Sequence, residues 1–140
     1  MKLLLLSHGS FGEGIKESYR MIAGDDSNIL TISLTDEGIG IFTEKVESLL
    51  DELTKDNRVL VFTDMKGGTP FNVALKYQLE HSNKVELVAG MNLPMVLEIC
   101  MQISSEENLN KLSIEAVEIG KSGIFRSDIL DENIDDDFEI

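Results

Sequence analysis

Short apolar runs alternate with stretches of helical periodicity along most of this chain, and that alternation restricts its fold more than any other feature. Leu3–Ser7, Asn28–Leu34, Arg58–Thr63 and Lys84–Ala89 have the length and boundaries of buried strands, each flanked by polar or turn-forming residues. Between them, Ile39, Phe42, Val46, Leu49, Leu50 and Leu53 recur at helical spacing, and Ile15, Tyr19 and Ile22 do so more weakly. The only two prolines, Pro70 and Pro94, sit where helices should open, a position that wastes no backbone donor. The first of these helices is expected from Pro70 to Glu80, and the second follows the fourth strand. Ser10 with Glu13, and Ser104 with Glu107, have capping-box spacing, and a further amphipathic segment carries Leu109, Leu112, Ala116 and Ile119. Strand–helix alternation of this kind gives an α/β fold, a doubly wound, mainly parallel sheet with helices on both faces. Right-handed crossovers leave only a few strand orders, 2-1-3-4 among them. The run Gly123–Ile129 is the candidate for a last edge strand.

A length of 140 residues suits one domain with one core, and 42% hydrophobic against 27% charged residues is a globular balance. The formal charge of −14 argues against a nucleic-acid partner, whose phosphates such a surface repels. Part of that charge is local. Asp131, Glu132, Asp135, Asp136, Asp137 and Glu139 follow one another with no basic residue between them, so the chain divides into a domain over 1–127 and an acidic, solvated tail over 128–140. The apolar opening Leu3–Leu6 is far shorter than the roughly 20 residues of a membrane span, and no signal-peptide pattern surrounds it. A cytoplasmic protein is expected. The single cysteine, Cys100, cannot close an internal disulfide, and its place in the apolar run Val96–Met101 suits a buried small hydrophobe. No Cys/His cluster suggests a metal.

In open parallel sheets, ligands gather beyond the carboxyl ends of the strands where the winding reverses. Three segments lie at such ends here: Ser7-His8-Gly9-Ser10-Phe11-Gly12, Asp64-Met65-Lys66-Gly67-Gly68-Thr69-Pro70-Phe71-Asn72, and Gly90-Met91-Asn92-Leu93-Pro94. If the first and third strands are neighbours, His8 and Asp64 share one crevice. An imidazole attacks only as a neutral tautomer with one nitrogen free. A carboxylate holding the N–H of the other nitrogen fixes that tautomer and steadies the developing positive charge. Glycines beside both residues, Gly9 and the pair Gly67-Gly68, let backbone amides approach a phosphate. Ser10 and Thr69 add hydroxyls at helix entrances. The residues also have blander roles. A histidine after a strand often serves as a turn or cap residue, Asp64 can organise its own loop, and glycine pairs mark turns generally. Phe11, Met65, Pro70, Phe71, Asn72, Met91, Asn92, Leu93 and Pro94 are candidates for pocket, core or interface, whereas His81 suits an interaction with a helix dipole.

Three ordered blocks, the strand ending in His8-Gly9, the Asp64 loop with Gly-Gly-Thr-Pro-Phe-Asn, and Ala89-Gly90-Met91-Asn92-Leu93-Pro94, together resemble the IIA component of the mannose family of the bacterial phosphoenolpyruvate-dependent sugar phosphotransferase system. The resemblance runs from about Lys2 to Arg126. It implies a homodimeric phosphocarrier, phosphorylated on Nε2 of His8 by the phosphocarrier HPr, with Asp64 orienting the ring through Nδ1. The phosphoryl group then passes to a IIB component, and through the membrane IIC and IID components to sugar. The resemblance implies no metal and no cofactor, and a fifth, antiparallel strand exchanged between subunits, for which Gly123–Ser127 is the candidate. The acidic ending, in place of a linker, leads to the expectation that IIB is a separate polypeptide. Two alternatives stay open. One is the related phosphotransferase subunit that feeds dihydroxyacetone kinase, which lacks the Gly-Gly-Thr-Pro-Phe-Asn loop. The other is a receiver-like module with Asp64 as phosphoacceptor, which would need acidic residues at the first strand's end to hold Mg²⁺, where this chain has Ser7-His8-Gly9.

Overall fold

Leu3, Leu4, Leu5 and Leu6 are all wholly buried because their strand lies inside a parallel sheet covered on both faces. The computed structural model describes residues 1–128, so the acidic stretch 129–140 lies outside the described residues. The elements run β1 (Lys2–His8), α1 (Phe11–Ala23), β2 (Ile29–Leu34), α2 (Ile39–Leu53), β3 (Val59–Thr63), α3 (Thr69–Glu80), β4 (Val85–Ala89), α4 (Leu93–Gln102) and α5 (Leu109–Ser122). The sheet order is β2-β1-β3-β4, and every pairing is parallel. The winding therefore reverses between β1 and β3, as the 2-1-3-4 reading requires.

The period-2 geometry of β1 sorts its side chains. Leu3 and Leu5 pack with Tyr19 of α1, Phe62, and the inner faces of α4 and α5. Leu4 and Leu6 pack on the other face with Phe42, Val46 and Leu50 of α2 and Ala74 and Tyr77 of α3. By the same alternation, Ser7 falls on the α1 side and His8 on the α3 side. Cys100 is buried in the first of these layers, and burial pushes its thiol above its ordinary value.

Several local expectations change. Ser10 precedes α1 but makes no side-chain cap, and Glu13, rather than reaching back to Ser10, accepts a hydrogen bond from Ser33 on β2 (3.1 Å). The Ser104–Glu107 spacing opens no helix. Asn108 caps α5, accepting from the Lys111 amide, while Ser104 accepts a bond from Asn28 across the sheet end. Ile22, assigned to the apolar face of α1, is exposed beside Met21. The described part of the Gly123–Ile129 run forms no edge strand within the chain. Gly123 packs so closely on Pro94 that a Cβ would lie 2.8 Å from its ring, so the backbone leaves α5 in the helix layer rather than the sheet plane.

Candidate functional site

β1 and β3 are in register with Leu6 opposite Thr63, so His8 and Asp64 emerge side by side at the carboxyl edge of the sheet, at the winding reversal. Oδ2 of Asp64 accepts from both the backbone N–H of His8 and its ring Nδ1, each at 2.8 Å. Oδ1 accepts from the Met65 amide at 2.9 Å. A carboxylate oxygen can only accept, so the proton of the neutral ring sits on Nδ1 and the Nε2 lone pair is free. The Asp64 side chain is 14% exposed and that of His8 48%. Burial alone would raise the Asp64 carboxyl, but the His8 amide, the His8 ring and the Met65 amide outweigh it and hold the group below the usual carboxylate range.

Two helix entrances flank the ring. α1 starts at Phe11, after the strand that ends in His8, and α3 at Thr69, after the loop that Asp64 opens beyond β3. The amides of Ser10, Phe11, Gly67, Gly68 and Thr69 meet no acceptor among the described residues. Such open donors, with the positive end of each helix dipole behind them, favour a doubly charged phosphoryl group. The glycine pair divides its labour. Gly67 has φ +81°, a conformation that strains other residues, whereas Gly68 at φ −81° is needed for space: a Cβ there would lie 2.8 Å from His8 Cε1.

Comparisons with known proteins give the family. A family model for the mannose-type EIIA group, described as "PTS system fructose IIA component", matches residues 2–117. The chain belongs to that family. The fructose-specific EIIA component of Bacillus subtilis is 33% identical over 71% of this chain and 68% of its own length. The sorbose-specific EIIA component of Lacticaseibacillus casei is 33% identical over 81% of this chain and 78% of its own. Among solved structures, the mannose/sorbose-specific IIA subunit from Enterococcus faecalis superposes with TM-score 0.77 at 33% identity, covering 93% of this chain and 96% of that one. The chain is therefore a component of the sugar phosphotransferase system.

Within this IIA fold the remaining candidate residues divide by place. Phe11, which opens α1, and Met65, next to Asp64, are both exposed, and Asn72 donates to the Gly67 carbonyl (3.3 Å), bracing the loop. Pro70 is buried and Phe71 half-buried in the first turn of α3. The third block supports from behind. The Gly90 and Met91 amides both donate to the Thr63 carbonyl (2.9 and 3.0 Å), pinning the residue before Asp64. Met91 is core, Asn92 caps α4 and donates to Gly120 of α5, and Leu93 and Pro94 form the first turn of α4. His81 sits at the far end of α3, where its ring stacks on Tyr77 (4.0 Å) and Nδ1–H donates to the Tyr77 carbonyl. Sequence reasoning missed the contact between the Ser7 hydroxyl and the Gly12 amide. Its one signal was a serine ending a run of buried leucines.

Gly68→Ala tests the steric reading. Its backbone angles suit alanine, so the fold should persist, but the His8 ring must yield. Phosphoryl transfer should fall about 100-fold with an unchanged circular-dichroism spectrum. Wild-type transfer by the folded variant would contradict the proposed closeness of loop and ring.

Proposed function

We propose that this chain is a phosphocarrier in which Nε2 of His8 takes a phosphoryl group from phospho-HPr and gives it to a histidine of a IIB component. The observation that carries this reading is the allocation of partners: Nδ1 and both Asp64 oxygens are engaged, while Nε2 has no hydrogen-bond partner and lies on an exposed ring. That allocation also speaks against Asp64 as phosphoacceptor, since both of its oxygens already accept from donors that draw off their charge and weaken them as nucleophiles. Among the described residues, no group of three or more His, Cys, Asp or Glu side chains is arranged to hold a metal ion, as a receiver-like site would need.

In the transfer step the Nε2 lone pair attacks phosphorus in line. The N–P bond of the donor breaks, and the donor imidazole keeps the electron pair. The Nδ1 proton stays in place, and Asp64 offsets the positive charge spread over the phosphorylated ring. One phosphoramidate replaces another, so the step is close to thermoneutral. The open amides of the two helix entrances would stabilise the equatorial oxygens. Water must be kept out, because hydrolysis would release the carried group, and a docked partner covering Phe11 and Met65 would do so. The relatives are named for fructose and sorbose, yet the reacting groups here are imidazole and phosphate only. Sugar choice thus belongs to the IIC and IID components reached through IIB. No helix among the described residues is long and apolar enough to cross a membrane, which accords with work on the cytoplasmic side of such a transporter. With phosphoenolpyruvate, the first relay enzyme and HPr present, one label per chain is expected. No labelling with all three present would remove the reading.

The same reading includes a homodimer with an exchanged strand. Among the described residues, β4 ends the sheet with an unpaired outer edge, and Ile124 and Phe125, 79% and 65% exposed, follow α5 without forming a strand. A second copy would cover both. Truncation before Gly123 should dissociate or aggregate the protein, and truncation after Leu130 should do neither. Light scattering decides between them, and a monomeric full-length protein would contradict the exchange.

A further inference from the structure

Ser7 is wholly buried directly before His8, yet its hydroxyl is not idle. Its Oγ accepts a hydrogen bond from the Gly12 amide (2.9 Å) and donates one to the Gly9 carbonyl (3.0 Å). The two bonds bracket the turn that carries the chain from β1 into α1, whose pivot is Gly9 at φ +55°. A side chain at Gly12 would crowd this contact, since a Cβ would approach Ser7 Oγ to 3.3 Å and Leu5 Cβ to 3.4 Å.

The consequence lies in which amides remain open. A helix begins with donors that have no intrahelical acceptor. In α1 the usual side-chain cap is missing, because Ser10 makes none. Ser7 reaches up from the strand instead and takes the Gly12 amide, the one turned toward the sheet. Its bond to Gly9 ties the turn's first carbonyl to the buried Ser7 hydroxyl. The Ser10 and Phe11 amides, which follow His8 in the chain, meet no acceptor among the described residues. We infer that Ser7 is a positioning residue for phosphoryl transfer, holding the Gly9–Phe11 turn so that its open amides, rather than its carbonyls, meet the phosphoryl oxygens on His8. The inference rests on the phosphocarrier reading of His8. It assigns Ser7 no contact with the phosphoryl group, which it influences through the turn alone.

A residue that only stabilised the fold would change melting temperature and leave the chemistry of folded protein alone. Ser7 should do more. Ser7→Ala removes both bonds, and Ser7→Cys keeps the volume but supplies a much weaker acceptor and donor. In the folded fraction, the rate of phosphoryl transfer from phospho-HPr should fall between about 10- and 100-fold for Ser7→Ala, with an intermediate loss for Ser7→Cys. The loss should fall on the transfer rate more than on the KM for phospho-HPr, because Ser7 itself is buried and touches no partner. The ³¹P resonance of the phosphohistidine should shift in both variants, since the donors around its oxygens move. Should Ser7→Ala not fold, Ser7→Cys carries the same readouts. If the wild-type protein takes no label on His8, the reading of the site itself falls. If the wild type is labelled but the folded variants match it in transfer rate and in ³¹P resonance, the assignment of Ser7 is overturned while the phosphocarrier reading stands.

Discussion

Asp64→Asn is expected to slow phosphorylation of His8 by about 10²- to 10⁴-fold, the range associated with losing a positioned acid–base partner. Three donors converge on the carboxylate: the His8 amide, the His8 ring and the Met65 amide. An asparagine has one acceptor oxygen to offer them. With that oxygen toward His8, its amide group faces the Met65 N–H. Turned around, it presents N–H to the ring, which then carries its proton on Nε2 and has no lone pair for phosphorus. Either arrangement leaves donors opposed, at a cost of about 1–3 kcal/mol in stability. The label that does form should still sit on His8, because Asp64 never becomes covalently modified in this mechanism.

The pH dependence follows from the depressed Asp64 pKa. A carboxyl held lower in the folded state than in the unfolded chain contributes stability that is fully present above its unfolded value. That contribution is lost as the pH falls through its folded value. Wild-type stability should therefore decline on the acid side of the usual carboxylate range, and Asp64→Asn should flatten that limb. Thermal melts of the two proteins across that range measure it, and identical acid limbs would contradict the arrangement of donors.

How much of this was legible in the sequence depended on whether a feature was local. The strands were readable to within a residue or so because each is a buried run cut off by polar residues, and a central parallel strand such as Leu3–Ser7 has little choice but to be apolar on both faces. The pair His8 and Asp64 followed from strand ends and a strand order that few topologies allow. Helix entrances were less legible. Ser10-x-x-Glu13 and Ser104-x-x-Glu107 have the spacing of a cap, but spacing does not show that Ser33 lies across from Glu13, or that Asn108 stands closer to the apolar face of α5. The Gly67-Gly68 pair was visible as a turn, whereas the use of Gly68 as room for an imidazole is a contact between two strand ends distant in sequence. Ser7 was invisible as a functional residue for the same reason. Its partners are backbone groups, which leave no signature in side-chain pattern. Met91 and Asn92 stand out in the sequence only by position, whereas in the fold they brace Thr63 and α5 from behind.

The identity of the phosphorylated atom is the claim on which the rest depends, and its chemistry separates the two carriers. His8→Ala should abolish labelling altogether, since no other imidazole stands at this edge, and His81→Ala should leave it intact because His81 lies at the far end of α3. A phosphoramidate on imidazole is lost in acid, where protonation turns the ring into a good leaving group, and it survives alkali. An acyl phosphate on Asp64 would instead be attacked at its carbonyl by hydroxide or hydroxylamine. The most direct measurement is label retention on the wild-type protein after brief acid, alkali and hydroxylamine treatment. Loss in acid with retention in alkali and hydroxylamine is the expected result, and loss in hydroxylamine with retention in acid would contradict phosphorylation of His8.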